Sequence, residues 1–251
     1  MVRPLSAIVA TAVVALIAAP SHGHVEASVD ANNRYLKISP MGDRVRLAYT
    51  VLFGEKPGAA MRRRLDRDRD GQISGAEADV LGRELAASLT PALTIAIDGA
   101  PLTWSWARVD VGLGTPSTIG GSLSVDLIAW LCVPAGTEHR LAIRDEYQVD
   151  APGDSELHLE EGPGVALGER TLGGEPMPGV DAAWTGKGGP ITTGFELRYT
   201  VDASATRPSD GRCRDPRAAT RRRPRWPFIA GAAAALILAI AVQAQRKKAR
   251  R

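Results

Sequence analysis

Residues 45–53 read Val45-Arg46-Leu47-Ala48-Tyr49-Thr50-Val51-Leu52-Phe53, and large apolar side chains alternate along them with smaller or polar ones. Successive side chains of a strand point to opposite faces of a sheet, so this alternation predicts a strand with one apolar face. Residues 34–38 alternate in the same way, and Met41-Gly42-Asp43 predicts a turn between the two segments. The resulting hairpin favours a fold built from sheets.

Further strand signals follow along the chain. Residues 93–97 lead into Asp98-Gly99, a favoured two-residue hairpin turn, and residues 102–106 are predicted to return as the second strand. Later strands are predicted at residues 122–133, 138–148, 156–159 and 195–201, whereas the glycine-rich and proline-rich residues 162–190 predict a long loop or irregular hairpin. The predicted fold class is therefore mainly β, an antiparallel β-sandwich of one or two subdomains with an inserted helical motif.

The inserted motif surrounds residues 66–77, DRDRDGQISGAE, which have the residue spacing of an EF-hand calcium loop. Ca²⁺ prefers about six to eight hard oxygen ligands gathered from a short, sharply turned backbone. Gly71 would take the sharp turn, and Ser74 would hold a bridging water. The predicted ligands are the side chains of Asp66, Asp68, Asp70 and Glu77 and the backbone carbonyl of Gln72. The alternative is an acidic surface turn without a metal.

The helices that flank this loop are predicted to differ in length. Pro57 and Gly58 leave residues 59–65 for the entering helix, and residues 76–89 carry an apolar stripe typical of the exiting helix. The stripe consists of Val80, Leu81, Leu85 and Leu89. The chain has no second loop of this kind, so no paired loop is expected within it, and calcium is expected to be structural rather than regulatory. The arginines at positions 62–64, 67 and 69 are expected to weaken calcium attraction.

Both ends of the chain indicate export and membrane attachment. Residues 1–23 have the charged start, apolar run and small residues of a cleaved signal peptide, with an uncleaved anchor as the alternative. Residues 226–244 are predicted to span a bilayer, and residues 245–251 form a basic cytoplasmic tail. A sorting signal removed after export is the alternative for these two segments. The predicted location is the cell membrane, with a single pass and an exported ectodomain.

The remaining boundaries follow from composition. A β-rich domain is predicted at residues 24–106, with the EF-hand inserted at 57–89, a second sandwich-like region at 107–203, and a flexible basic stalk at 204–225. Residues 24–220 contain 21 basic and 28 acidic residues, a net charge of about −7. Because the basic charge is concentrated at the membrane-flanking ends, no nucleic-acid partner is expected.

The same residues bear on catalysis and disulfide bonding. No nucleophile motif or phosphate-binding loop occurs, and the four histidines are scattered, so the chain is predicted not to be an enzyme. The two cysteines of the exported part permit a disulfide, but Cys132 lies in an apolar strand and Cys213 in the polar stalk. A buried thiol at Cys132 is therefore favoured over a Cys132–Cys213 bond.

Part of the chain resembles a known family. The resemblance rests on Asn33-Arg34-Tyr35-Leu36, residues 43–49, the loop from Asp66, and residues 93–102 with Asp98-Gly99. Together, residues 24–106 resemble the exported N-terminal domain ahead of some bacterial nickel and cobalt permeases of the hydrogenase- and urease-accessory type. That family continues into several membrane helices bearing metal-handling histidines and acids, whereas this chain has one apolar segment without such residues. The resemblance therefore implies at most an accessory or orphaned ectodomain. As an accessory subunit, it would dock on a separate metal permease or envelope complex.

Overall fold

A computed structural model describes residues 28–202 and Cys213 of the chain. The described residues contain twelve β-strands and two α-helices, with a single 3₁₀ turn at Pro190–Thr192. In chain order the elements are β1 (Asn32–Pro40), β2 (Arg44–Phe53), α1 (Glu55–Leu65), α2 (Gly75–Ala92), β3 (Leu93–Ile97), β4 (Ala100–Pro101), β5 (Trp106–Gly112), β6 (Leu123–Cys132), β7 (Glu138–Asp145), β8 (Pro152–Leu159), β9 (Val165–Leu172), β10 (Glu175–Pro176), β11 (Asp181–Thr185) and β12 (Phe195–Val201). The mainly β class is confirmed.

The strands form two six-stranded sheets. The first sheet has the order β11-β8-β1-β2-β6-β5, and the second has the order β10-β9-β12-β7-β3-β4. Alternate residues of β2, namely Val45, Leu47, Tyr49 and Val51, are buried as the alternation predicts. They belong to one hydrophobic core cluster that includes residues of both sheets and of α2. Two sheets that share one core are consistent with a β-sandwich.

The sheets are not purely antiparallel. The hairpin of β1 and β2 forms around residues 41–43 as predicted, with Pro40 opposite Val45. On its other side, β1 pairs with β8 in parallel, with Leu36 opposite Leu157. The prediction of an antiparallel sheet was wrong here, because β8 enters the sheet after the chain has crossed from β7 in the second sheet.

The predicted boundary at residue 106 does not separate two sets of strands. β1 and β2, from the first predicted region, pair with β8 and β6 from the second. β3 likewise pairs with β7 in the second sheet. Both sheets therefore draw strands from both regions, and between one continuous sandwich and two small domains, this topology favours the first.

The chain changes sheets soon after the second predicted hairpin. Asp98 and Gly99 adopt the positive φ angles of 53° and 79° that such a turn requires. The returning strand β4 is shorter than predicted, and β5 pairs with β6 in the first sheet. The rings of Trp104 and Trp106 contact each other edge to face, with their centroids 4.8 Å apart. Both pack against the core where the chain passes from one sheet to the other. The predicted strand at 102–106 was therefore wrong.

Residues 162–190 contain more order than the sequence predicts. β9 pairs with β12 within the second sheet, and β11 forms an edge of the first sheet. Glycines with positive φ, including Gly173 and Gly174, lie at the turns between these strands. Most side chains of β9 and β11 are exposed or half-buried, which is why the apolar periodicity of these residues is weak.

Cys132 and Cys213 form a disulfide, with their Cα atoms 5.3 Å apart. The expected buried thiol was wrong because alternation along β6 places Leu131 in the core and leaves the Cys132 side exposed. The bond attaches a residue of the predicted stalk to the end of β6.

The remaining boundary predictions fall largely outside the described residues. The signal peptide, the spanning segment 226–244 and the basic tail all lie there. Within residues 28–202 and Cys213, no helix is both long and apolar enough to cross a membrane.

A buried charged centre lies between the sheets. Arg34 of β1 donates to Asp145 Oδ2 at the end of β7, with a distance of 2.8 Å between Nη1 and Oδ2. Tyr49 of β2 donates its hydroxyl to the same carboxylate oxygen at 2.9 Å. Burial raises the pKa of the Asp145 carboxyl above its ordinary value, although the Arg34 charge opposes that rise.

Candidate metal centre

The two helices bracket the acidic loop in helix-loop-helix order. α1 begins at Glu55, one turn earlier than predicted, because Pro57 lies in the first turn, where its missing N–H has no helical partner to lose. Gly58 fits there because a Cβ would lie 2.6 Å from the Gly121 carbonyl oxygen. α2 begins with a capping box in which Ser74 and Glu77 each accept from the other's backbone N–H.

The buried face of α2 keeps three of the four residues of the predicted stripe and adds Ala78 and Gly82. Leu81, Leu85 and Leu89 are buried as predicted, but Ala78 is buried in place of the half-buried Val80. The helix extends from Gly75 to Ala92, beyond the predicted 76–89. This face packs the exiting helix against the sheets.

The loop backbone turns sharply at two residues that adopt the left-handed backbone conformation. Arg69 has φ 61° and Gly71 has φ 82°, and the backbone N–H groups inside the turn donate to aspartate side chains. Asp66 Oδ2 accepts from the Gly71 N–H at 3.1 Å, and Asp70 Oδ1 accepts from the Gln72 N–H at 2.7 Å. These bonds fold the aspartates inward over the loop.

Three of the predicted ligands converge. Each of Asp66, Asp68 and Asp70 contributes a carboxylate oxygen to a group whose members all lie within 4.8 Å of one another. Asp66 is half-buried, and the other two are exposed. Such a group of hard oxygens suits a cation such as Ca²⁺, although exposed acidic groups also occur without any metal.

Glu77 is not part of that group of three. Its Oε1 accepts from the Arg67 N–H at 2.7 Å, and its Oε2 accepts from the N–H and hydroxyl of Ser74 at 2.9 and 2.8 Å. These hydrogen bonds, led by the one from the Ser74 backbone, lower the pKa of the Glu77 carboxyl below its ordinary value. Glu77 therefore contacts both the second and the ninth residue of the loop as a carboxylate.

The loop pairs with another segment of the same chain, which the sequence did not predict. Ile73 donates its N–H to the Pro116 carbonyl at 2.7 Å, and Thr118 donates its N–H to the Gly71 carbonyl at 3.1 Å. Gln72 and Ser117 lie opposite each other in this antiparallel bridge. In such a pair the N–H and C=O of the central residue point away from the partner, so the Gln72 carbonyl is not bonded to Ser117.

Arg62, near the end of α1, is hydrogen-bonded to the same segment. It is 1% exposed and donates to five backbone carbonyls. The acceptors belong to Leu113, Thr115, Ser117, Gly121 and Ser122. Burial lowers the pKa of its guanidinium below the ordinary value. The sequence analysis treated Arg62, Arg63 and Arg64 alike, whereas only Arg62 is buried and the other two are exposed. No local sequence pattern indicates which of the three arginines binds carbonyls distant in sequence.

A surface depression lies over the second sheet, with a volume of about 460 Å³. It is lined mostly by outward-facing residues of β7, β9 and β12, including Arg140, Arg198 and Glu169. His139 and Tyr199 also line it, but both are buried residues of strands whose alternate side chains enter the core. His139 Nδ1 lies 2.9 Å from Asp98 Oδ2. This depression adds no group to the acidic loop.

Comparison with known proteins adds no assignment. No protein-family model matches the chain, and no curated protein is similar to it. The residues that carry the permease resemblance lie mainly in β1, β2 and β3, and Asn33 and Arg34 among them are buried. The acidic loop is therefore the basis on which a function can be assigned.

Proposed function

We propose that the protein binds one Ca²⁺ ion in the loop of residues 66–77. The ligands are the side chains of Asp66, Asp68, Asp70 and Glu77 and the backbone carbonyl of Gln72. The observation that carries the proposal is the convergence of three aspartate carboxylates at EF-hand spacing inside a helix-loop-helix. The donors are all hard oxygens, which favour calcium over transition metals.

Glu77 supports the same assignment through its position. Its carboxylate reaches back from α2 to the N–H of Arg67, the second residue of the loop. A glutamate at the twelfth position closes an EF-hand site by supplying two oxygens to the ion. In this protein those oxygens are held at the loop, in the carboxylate form that a metal requires.

We propose that calcium serves a structural rather than a sensing role. Sensor EF-hands open an apolar groove between their helices when calcium binds. Here Leu81, Leu85 and Leu89 of α2 are already buried in the shared core, and the loop is bridged to residues 116–118. Opening the helices would expose core residues of the sheets, so calcium is expected to reinforce the fold.

The wider setting is part of the proposal. We assign the protein as an exported, single-pass membrane protein with its anchor at residues 226–244 and a β-sandwich ectodomain. Fractionation of cells should place the chain in the membrane pellet, and removal of residues 226–251 should release it. A full-length chain that stays soluble would contradict the anchor but not the calcium site.

Calcium titration of the purified full chain by calorimetry tests the central claim. The wild-type protein should bind one ion, and Asp66→Asn and Glu77→Gln should each lose about a hundredfold in affinity or more, because each removes a charged oxygen ligand. Asp79→Asn is the matched control, since Asp79 is an exposed acid of α2 outside the loop. Calcium should also raise the midpoint of thermal unfolding, because it binds the folded state.

The Asp79→Asn control distinguishes specific calcium binding in the loop from general charge attraction. If Asp79→Asn weakens binding as much as Asp66→Asn, the acidic surface attracts calcium without a specific loop. If the wild-type chain releases no heat and gains no stability at millimolar calcium, the loop is an acidic turn and the proposal fails.

A further inference from the structure

Residues 113–122, here called the partner segment, lie beside the acidic loop. In the described structure they bridge to the acidic loop through Ile73, Pro116, Thr118 and Gly71. The Thr118 hydroxyl donates a second hydrogen bond to the Gly71 carbonyl at 3.2 Å. Ile73 is buried beneath this bridge. A loop held in shape before binding loses less conformational freedom when the ion arrives.

Arg62 gives the partner segment its shape. A guanidinium has five N–H donors, and the five carbonyl oxygens that Arg62 contacts match that number. All five acceptors are backbone groups of the partner segment. Gly120 passes so close that a Cβ there would lie 2.8 Å from Arg62 Cζ. The backbone of the partner segment therefore surrounds the guanidinium of Arg62.

The same arginine belongs to the helix that enters the acidic loop. Arg62 lies four residues before Asp66, and its carbonyl accepts the Asp66 N–H at 3.2 Å. Its guanidinium holds the partner segment, and the partner segment in turn holds Gly71 and Ile73. One residue thus connects the start of the loop with the segment bridged to its middle.

We propose that Arg62 is a positioning residue for the calcium site and that it acts by shaping the partner segment, which holds the loop ready for the ion. This inference rests on the proposed calcium binding. Affinity and segment order are then linked in both directions, because a coupling that raises calcium affinity also makes calcium stabilise the segment.

The sign of the effect separates this role from simple charge repulsion. Arg62→Met and Arg63→Met each remove one positive charge from α1, but Arg63 is exposed. If charge alone matters, both variants should bind calcium about two- to threefold more tightly at low salt. If Arg62 positions the loop, Arg62→Met should bind about five- to a hundredfold more weakly, the usual range of such couplings. Calorimetry on the full chain measures both variants.

Arg62→Lys separates charge from hydrogen bonding. Lysine keeps the charge but has three donors instead of five, so part of the carbonyl set loses its donor. Positioning predicts a calcium affinity between those of wild type and Arg62→Met. Wild-type affinity in Arg62→Lys, or tighter binding in Arg62→Met, would overturn the proposal.

Gly120→Ala covers the case in which Arg62→Met does not fold. The added methyl group would press on the guanidinium, whose end can shift, so the chain is expected to fold while the carbonyl set is disturbed. Calcium affinity should fall, whereas Ile119→Ala, at a side chain that is 93% exposed on the same segment, should leave it unchanged. Equal affinity in Gly120→Ala and wild type would count against the role of the segment.

Hydrogen exchange tests the reciprocal effect. Calcium should slow exchange of the Thr118 and Ile73 amides in the wild-type chain, and this slowing should be absent in Asp66→Asn. If wild-type chain binds calcium but these amides show no change, the partner segment is not coupled to the ion. If wild-type chain binds no calcium at all, the proposed function itself fails, which keeps the two outcomes distinguishable.

Discussion

Two buried arginines hold two regions of this protein in different ways. Arg34, 2% exposed, pairs with the fully buried Asp145 and joins the first sheet to the second. Arg62 is equally buried but donates to carbonyl dipoles of one loop segment. A charge pair at the shared core affects the whole fold when one partner is lost, whereas a carbonyl set affects the shape of one segment. Substitutions in the two regions should therefore change different measured quantities.

The largest effect is expected for Arg34→Met. Removing one member of a buried ion pair leaves the other charge without compensation, and the free energy of unfolding should fall by about 3–5 kcal/mol. Urea denaturation of the full chain measures this change. Calcium affinity of the folded protein should stay as in wild type, since the loop is untouched. A loss of calcium affinity would break the distinction between the two regions.

The double variant Arg34→Met with Asp145→Leu is the control for this prediction. Burial already raises the pKa of Asp145 despite Arg34, so replacing both charges should recover most of the lost stability. The raised pKa also has a pH signature. A carboxyl whose folded-state pKa is raised contributes stability fully below its ordinary pKa, and that contribution is lost as pH rises through the folded-state value. The stability difference between wild type and Asp145→Asn should shrink accordingly on raising the pH from about 3.

Loss of the disulfide should have the next largest effect. Cys132→Ser with Cys213→Ser opens a link between residues 81 positions apart, and stability should fall by about 2–4 kcal/mol. β6 begins at Leu123, next to the partner segment, and ends at Cys132. Urea denaturation should therefore show the loss while calcium titration shows none. Weaker calcium binding in this variant would mean that the two ends of β6 are coupled.

What the sequence predicted well depends on local periodicity. The alternation in β2 predicted its buried face, and β12 was predicted with the bounds that the structure shows. The loop spacing predicted that Asp66, Asp68 and Asp70 would lie together, as they do. Each of these features is determined by residues a few positions apart, which is the range over which strand and loop geometry act.

What the sequence missed depends on distant pairing. The parallel contact of β1 with β8 joins residues more than a hundred positions apart, and Arg62 meets carbonyls 51 to 60 positions away. Backbone carbonyls are present at every residue, so no residue type marks them as the acceptors of a particular arginine. No prediction of a strand, helix or loop from the sequence covered residues 113–121 of the partner segment, and nothing in their pattern indicated these contacts.

Gly71→Ala should have a smaller effect that is confined to the calcium loop. Alanine at φ 82° costs about 1–2 kcal/mol, because its Cβ disfavours the left-handed region. No atom lies within 4 Å of the place that the added methyl group would take, so the cost is conformational rather than a clash. Calcium affinity should fall about five- to thirtyfold by calorimetry. Gly75→Ala, in the same loop but without positive φ, is the matched control and should bind as wild type.

The smallest effect is expected for a third arginine, Arg64, which is exposed and pairs with Glu84 across the two helices at 3.4 Å. Water screens such a pair, so a double-mutant cycle of Arg64→Met and Glu84→Gln should give a coupling of about 0.2–1 kcal/mol that disappears at high salt. Urea denaturation at two salt concentrations measures it. A coupling that survives high salt would show that contacts on the helix surface stabilise the motif as the buried arginines do, and burial would then not explain the difference between these regions.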